Sequence, residues 1–203
     1  MNYLAVDTSA RHLTVALKIG DKIKTSYIEN SGTEHSSQIM VEIENCFAAL
    51  NASPSDVDVF CAVVGPGSFT GIRIGVATVK GFADAFSKKV LGVTSFEVLA
   101  YNVKSEKTLA VVDANHDHFY VCAFDRAECR FSPEFVDGKR ALELAKTYSP
   151  ISFDYIERLN ARAVDPVQGL INAVEDNLSN ASADVNSLKP FYLRLSQAEE
   201  GRK

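Results

Sequence analysis

The feature that most limits what this chain can become is a repeated beginning. The apolar run Leu4-Ala5-Val6-Asp7 returns as Leu109-Ala110-Val111-Val112-Asp113. Each copy is followed by a second extended run, Leu13 to Ile19 after the first and Phe119 to Phe124 after the second, patterned as strands are. A chain of 203 residues that starts the same way twice predicts a duplicated lobe. The division falls into residues 1–103 and a smaller second lobe, 104–203.

In the first half a Gly20-Asp21 turn leads into a third extended run, Ile23 to Ile28, so the opening is an antiparallel meander. A helix follows, with apolar Ile39, Ile43, Cys46, Phe47 and Leu50 at i, i+4, i+7, i+8 and i+11. Next come a strand from Val57 to Val64, a glycine-rich loop, a helix from Ile72 to Phe86 and a short strand from Val90 to Val93. That order predicts an α/β lobe, a mixed sheet with helices on its faces. The second half adds a helix near Lys139 to Tyr148, a strand near Ile151 to Phe153 and a helix from Pro166 to Leu178, with proline in its first turn. After a polar loop, the apolar piece Leu188 to Arg194 is expected to dock near the lobe boundary, and the charged tail after Arg194 to fray.

Composition excludes several function classes. Hydrophobic residues make up 46% and charged residues 23%, ordinary for a globular protein. No apolar run approaches the about 18 residues of a membrane span. The chain enters its first strand without a basic segment and apolar signal core, which predicts a cytoplasmic protein with no membrane partner. Cys46, Cys61, Cys122 and Cys129 lack paired metal spacing and read as reduced core thiols. A net charge of −5, with no basic run longer than two residues, gives no footprint for autonomous nucleic-acid binding. Any RNA would be held mainly by another protein.

The run Gly65-Pro-Gly-Ser-Phe-Thr-Gly-Ile-Arg-Ile-Gly75 joins a strand to a helix. Gly65, Gly67 and Gly71 suit a tight bend or a close neighbour, and Ser68 and Thr70 can cap the helix. Its spacing matches neither the Walker loop nor the dinucleotide fingerprint. Asp7-Thr8-Ser9 stands where an actin-like kinase or ATPase places its phosphate turn, with a carboxylate near the metal and hydroxyls near the phosphates. The other reading is a strand end whose side chains bond the following turn. His116 and His118 read as a solvated hairpin turn and not a metal site, His35 as a group that orders a helix start, and Ser68 lacks a neighbouring base. No catalytic residue, metal ligand or cofactor is assigned.

The helix from Ile72 to Phe86 carries two faces. Ile72, Val76, Val79, Ala83 and Phe86 form one, and Ile74, Ala77, Thr78, Gly81 and Ala85 a second of small or apolar residues. One sheet buries only one face, so either the other lobe or another polypeptide must cover the second.

With Asp7-Thr8-Ser9, Glu34-His35-Ser36, the glycine loop, Gly92-Val93-Thr94-Ser95 and Pro190-Phe191-Tyr192-Leu193-Arg194, nearly the whole chain resembles the bacterial TsaB (YeaZ) family of tRNA threonylcarbamoyladenosine biosynthesis proteins. The resemblance implies duplicated RNase H-like lobes of the actin and hexokinase (ASKHA) type. It implies a non-catalytic partner of the related transferase subunit TsaD, joined by the ATPase TsaE, with homodimers possible, no cofactor, and tRNA contacted only indirectly. The catalytic relative carries a metal-binding histidine pair just after the strand matching Val90 to Val93, where this chain has Ser95 and Leu99. Asp7, Thr8, Ser9, Gly65 and Gly67 then read as a vestigial phosphate site. Ile39, Thr70, Arg73, Ile74, Ala77, Thr78 and Gly81 read as the partner interface. Two departures stand out: Val63-Val64 replaces the family's Gly-Arg before the glycine loop, and the second lobe is short. The rival readings are an actin-like ATPase or small-molecule kinase using Asp7, Thr8 and the glycine loop, and a self-associating structural protein.

Overall fold

The duplication is written in the hydrogen bonds of a computed structural model, which describes residues 1–194 apart from Thr33 and Ser105. In the first lobe, β1 (Tyr3–Asp7) pairs antiparallel with β2 (Leu13–Ile19), Asp7 opposite Thr14. In the second, β6 (Lys107–Asp113) pairs antiparallel with β7 (His118–Asp125), Asp113 opposite Phe119. The first lobe continues with β3 (Lys22–Ile28), α1 (His35–Leu50), β4 (Val59–Val63), α2 (Phe69–Ala85), β5 (Lys89–Val93) and α3 (Ser95–Ala100). The second continues with β8 (Glu128–Cys129), β9 (Glu134–Asp137), α4 (Gly138–Leu144), β10 (Ser149–Ser152), β11 (Arg162–Ala163) and α5 (Pro166–Asn177).

The first sheet runs β3-β2-β1-β4-β5 and the second β8-β7-β6-β10-β11, with β9 also on β7. The two orders are the same once β6 is set on β1 and β10 on β4. In each, the strand beside the opening hairpin is parallel to the first strand. The counterpart of α2, between β10 and β11, is a single 3-10 turn at Glu157–Leu159. This is where the second lobe is short.

Every residue of β1 is buried, because both faces of the first sheet are covered. Leu4 and Val6 point to one face and meet Ile39 and Ile43 of α1 and Ile72 and Val76 of α2. Tyr3 and Ala5 point to the other and meet Leu170, Ala173 and Val174 of α5, as the two-residue period of a strand requires. The helix that ends each lobe covers the other lobe's sheet. Phe96 and Leu99 of α3 join Ala110, Val112 and Ile151, while α5 lies on β1, β2 and β5. The two helices touch closely at Gly169, where a Cβ would collide with the Val98 carbonyl oxygen.

Several expectations change. Helix α2 begins at Phe69 and ends at Ala85, so Phe86 is exposed beyond it and leaves the apolar face. Helix α4 stops at Leu144, and the short strands β8, β9 and β11 and helix α3 are additions. Cys129 lies exposed on β8 and is no core thiol, whereas Cys46, Cys61 and Cys122 are buried. The arm after α5 docks where the lobes meet. Leu188 packs with Val64 and Val90, Phe191 N donates to Val64 O at 2.8 Å, and Phe191 and Leu193 reach the second lobe's cluster. The charged tail after Arg194 lies outside the described residues.

Candidate functional site: a sealed turn and an open helix face

Asp7, Thr8 and Ser9 end β1 with at most 1% of each residue exposed. Asp7 Oδ1 accepts from Ser9 N at 2.8 Å, and Oδ2 lies 3.2 Å from His12 Nε2. Thr8 Oγ1 donates to Gly71 O at 2.7 Å, and Ser68 N donates to Ser9 O at 2.7 Å. Ser95 Oγ stands 2.8 Å from Pro66 O and 3.1 Å from Ser9 Oγ. The turn that would face phosphates is therefore bonded to the glycine loop and to the start of α3.

The same contacts explain the glycines. A Cβ at Gly67 would collide with Ser9 O, and one at Gly71 with Thr8 O. At Gly75 it would stand 2.5 Å from Thr8 Oγ1. Gly65 has φ of 112°, a left-handed conformation open to glycine, and a Cβ there would meet Phe191 O. Ser68 caps α2 by accepting from Gly71 N at 3.1 Å, while Thr70 lies inside the helix and is exposed. The loop is thus glycine-rich because α2 starts hard against the Asp7 turn.

Three titratable side chains, Asp7, His12 and His35, lie buried under this seal. Burial raises the Asp7 carboxyl, but the hydrogen bond and charge of His12, with the Ser9 bonds, outweigh it and hold the group below the usual carboxylate range. His12 is buried too, its ring edge-on to Phe153 of the second lobe at 4.9 Å. His35, the first residue of α1, is lowered by burial, and its Nε2 lies 3.1 Å from His12 O. It orders that helix start.

Between the lobes lies a cleft of about 960 Å³, edged by Ser9, Arg11, Ser68, Asp113, Asn115 and Arg194 among others. The second lobe repeats the Asp7 bond pattern there: Asn115 N donates to Asp113 Oδ1 at 2.7 Å. Asp113 is exposed where Asp7 is buried. Ser95 and Leu99, at the positions set against the histidine pair, are both buried. Among the described residues no group of three or more His, Cys, Asp or Glu is placed to hold a metal.

The residues expected at a partner interface separate. Ile39 belongs to the core at 2% exposure, because α1 turns it onto the sheet, so it is no surface residue. On α2, Thr70, Arg73, Ala77 and Gly81 are exposed and Ile74 and Thr78 half-buried. A Cβ at Gly81 would meet nothing within 4 Å. Met40 and Val41 of α1 are about half exposed. Arg73 is tied down: its Nε donates to Tyr192 Oη at 2.9 Å and its guanidinium lies 3.8 Å from the Phe69 ring centre. Phe69 and Tyr192 stack at 5.0 Å. Tyr192 belongs to the piece expected to dock near the lobe boundary, but its pairing with Arg73 and Phe69 was not legible, since nothing local signals a contact across more than a hundred positions.

The sequence model of the family described as "TsaD: tRNA N6-adenosine threonylcarbamoyltransferase" matches residues 23–164. The tRNA threonylcarbamoyladenosine biosynthesis protein TsaB of Bacillus subtilis (strain 168) is 27% identical, over 98% of this chain and 96% of that protein. Its namesake from Escherichia coli (strain K12) is 28% identical over 63% of this chain and 57% of that protein. The solved structure of YeaZ from Pseudomonas aeruginosa shares the fold, with a TM-score of 0.79 at 23% identity, over 95% of this chain and 99% of that one. Among the described residues no helix is long and apolar enough to cross a membrane. Matched along most of its length, and bearing the duplicated ASKHA-like fold, the chain belongs to the TsaD-type threonylcarbamoyltransferase family, on its TsaB (YeaZ) branch.

Proposed function

We propose that this protein is a non-catalytic subunit of a tRNA threonylcarbamoyladenosine-forming complex, and that it docks on a TsaD-like transferase through the outer face of α2. One observation carries the reading: a helix whose inner face is fully packed leaves small residues, Ala77 and Gly81, exposed on its outer face beside the half-buried Ile74 and Thr78, and a Cβ at Gly81 would meet nothing within 4 Å. Small side chains let a second helix approach closely. Helix α1 also leaves two apolar side chains, Met40 and Val41, about half exposed. In the absence of the partner the same face serves a homodimer. A TsaE-like ATPase completes the complex in the cytoplasm, and tRNA contacts fall mainly to the transferase subunit. The Asp7 turn supports a non-catalytic role, because its carboxylate and hydroxyls are buried and bonded within the protein.

The test is paired. Ala77→Arg, which changes an exposed position and spares the core, is expected to abolish co-purification with the cognate TsaD-like subunit while leaving the melting curve unchanged. Reconstituted tRNA modification should then fall to the level seen without this protein. Undiminished binding would reject the face. Tight, magnesium-dependent ATP binding by the isolated chain in calorimetry, lost in Asp7→Ala, would instead favour the kinase reading.

A further inference from the structure

Away from the turn and the helix face, the second lobe brings two free cysteines together. Cys122 Sγ and Cys129 Sγ lie 3.4 Å apart across the β7–β8 hairpin. The register sets Phe124 opposite Cys129, and Cys122 shares a face of β7 with Phe124, so the two sulfurs meet on the diagonal. Both point at one carbonyl: Cys129 Sγ is 3.0 Å and Cys122 Sγ 3.5 Å from Phe131 O. Their accessibility differs. Cys129 is exposed, whereas Cys122 is 1% exposed in the cluster with Phe96 and Phe124. Cys46 and Cys61 are buried in the first lobe's clusters and offer no competing partner.

We propose that Cys122 and Cys129 form a reversible modification site, in which a hydroperoxide oxidises Cys129 and Cys122 converts the product to an intrachain disulfide. The Cys129 sulfur attacks the peroxide, an S–O bond forms, the O–O bond breaks, and the leaving oxygen departs as water or an alcohol with the thiol proton. Cys122 Sγ then attacks the sulfenic sulfur, the S–S bond forms, and the S–O bond breaks. The Cys122 proton leaves with that hydroxyl as a second water. Two thiols have given two electrons to one peroxide. Closure from 3.4 Å to the about 2.05 Å of a disulfide needs a shift of roughly 1.4 Å, within reach of an edge strand of two residues. Burial pushes the Cys122 thiol well above the ordinary cysteine range, so the exposed thiol meets the oxidant first. A small dithiol reverses the bond by exchange.

The experiment treats the full chain with hydrogen peroxide, then alkylates it under denaturing conditions and digests it with trypsin. Alkylatable thiols are expected to fall from four to two. Cleavage after Arg126 and Arg130 frees the peptide Ala127 to Arg130, which carries Cys129 and stays joined to the Cys122 peptide only through the new bond. Dithiothreitol should release it. In Cys129→Ser, a surface change, every remaining thiol should stay alkylatable. In Cys122→Ala, dimedone should label Cys129. The proposal is overturned if wild type keeps four alkylatable thiols, if Cys129 ends as sulfinic acid beside a free Cys122, or if Cys129 links two chains.

Discussion

Gly71 and Gly81 sit in the same helix and make opposite predictions at the scale of single residues. A methyl group at Gly71 would run into the Thr8 carbonyl, backbone that has no rotamer to yield, so Gly71→Ala should cost about 3 kcal/mol or more. Chemical denaturation would read it as a lowered midpoint. Below this contact, Asp7 and His35 set the response to acid. The Asp7 carboxyl is depressed in the fold, so its contribution is present above the unfolded carboxylate value of about 3.9 and is lost as pH falls through the lower folded value. His35 is depressed as well, but as a base it favours its neutral form in the fold. The unfolded chain therefore takes up that proton first, and stability declines as pH drops below about 6.5. Urea midpoints across pH should show both declines. His35→Gln should remove the one that starts at the higher pH, and Asp7→Asn should flatten the one below about pH 4. A curve for Asp7→Asn that tracks wild type through the acid limb would contradict the buried pairing.

Helix α2 shows how much of an element can be read before its neighbours are known. Its inner face, Ile72, Val76, Val79 and Ala83, was legible from spacing and is buried as the period demands. Its start was legible only in part: Ser68 is the cap, yet the helix opens at Phe69, because Gly71 and Gly75 are fitted to Thr8, a residue more than sixty positions away. Ile39 differs, because its spacing with Ile43, Cys46 and Phe47 already sets it on the apolar face of α1, and that face packs on the first sheet and not on a partner. Helix α3 carries a local signal, a Thr94 and Glu97 capping box at its start, although its six residues are too few for a helical period to show. The short strands β8 and β11, two residues each, carry too few side chains for any periodicity. Gly81→Ala meets open space and a helical backbone, and should stabilise the protein by about 1 kcal/mol. A thermal melt would show it as a raised midpoint, and a fall would mean that α2 is not a plain helix at this position.

For the whole molecule, the exchange of α3 and α5 changes what counts as a lobe. The repeat places a boundary between residues 103 and 104; one sheet is made of β1 to β5 and the other of β6 to β11, but the cores are not divided in that way. With α5 removed, Tyr3, Ala5, Val59, Cys61, Val63, Leu91 and Val93 lose the helix that covers them, and α3 loses both α5 and β6. An apolar sheet face of that extent does not stay in water. A fragment of residues 1–103 is therefore expected to aggregate or to collapse without fixed packing, with strand and helix signals in far-ultraviolet circular dichroism but a lost near-ultraviolet spectrum. The intact chain should melt in one cooperative transition, because unfolding either sheet strips the helix from the other. Two calorimetric transitions in the intact chain, or a monomeric fragment with native near-ultraviolet dichroism, would show that the lobes are independent. The same interlock bears on docking: a partner that seizes the outer face of α2 grips a helix whose inner face, through β4 and β5, rests on α5, so the surface it meets is braced by the far end of the chain.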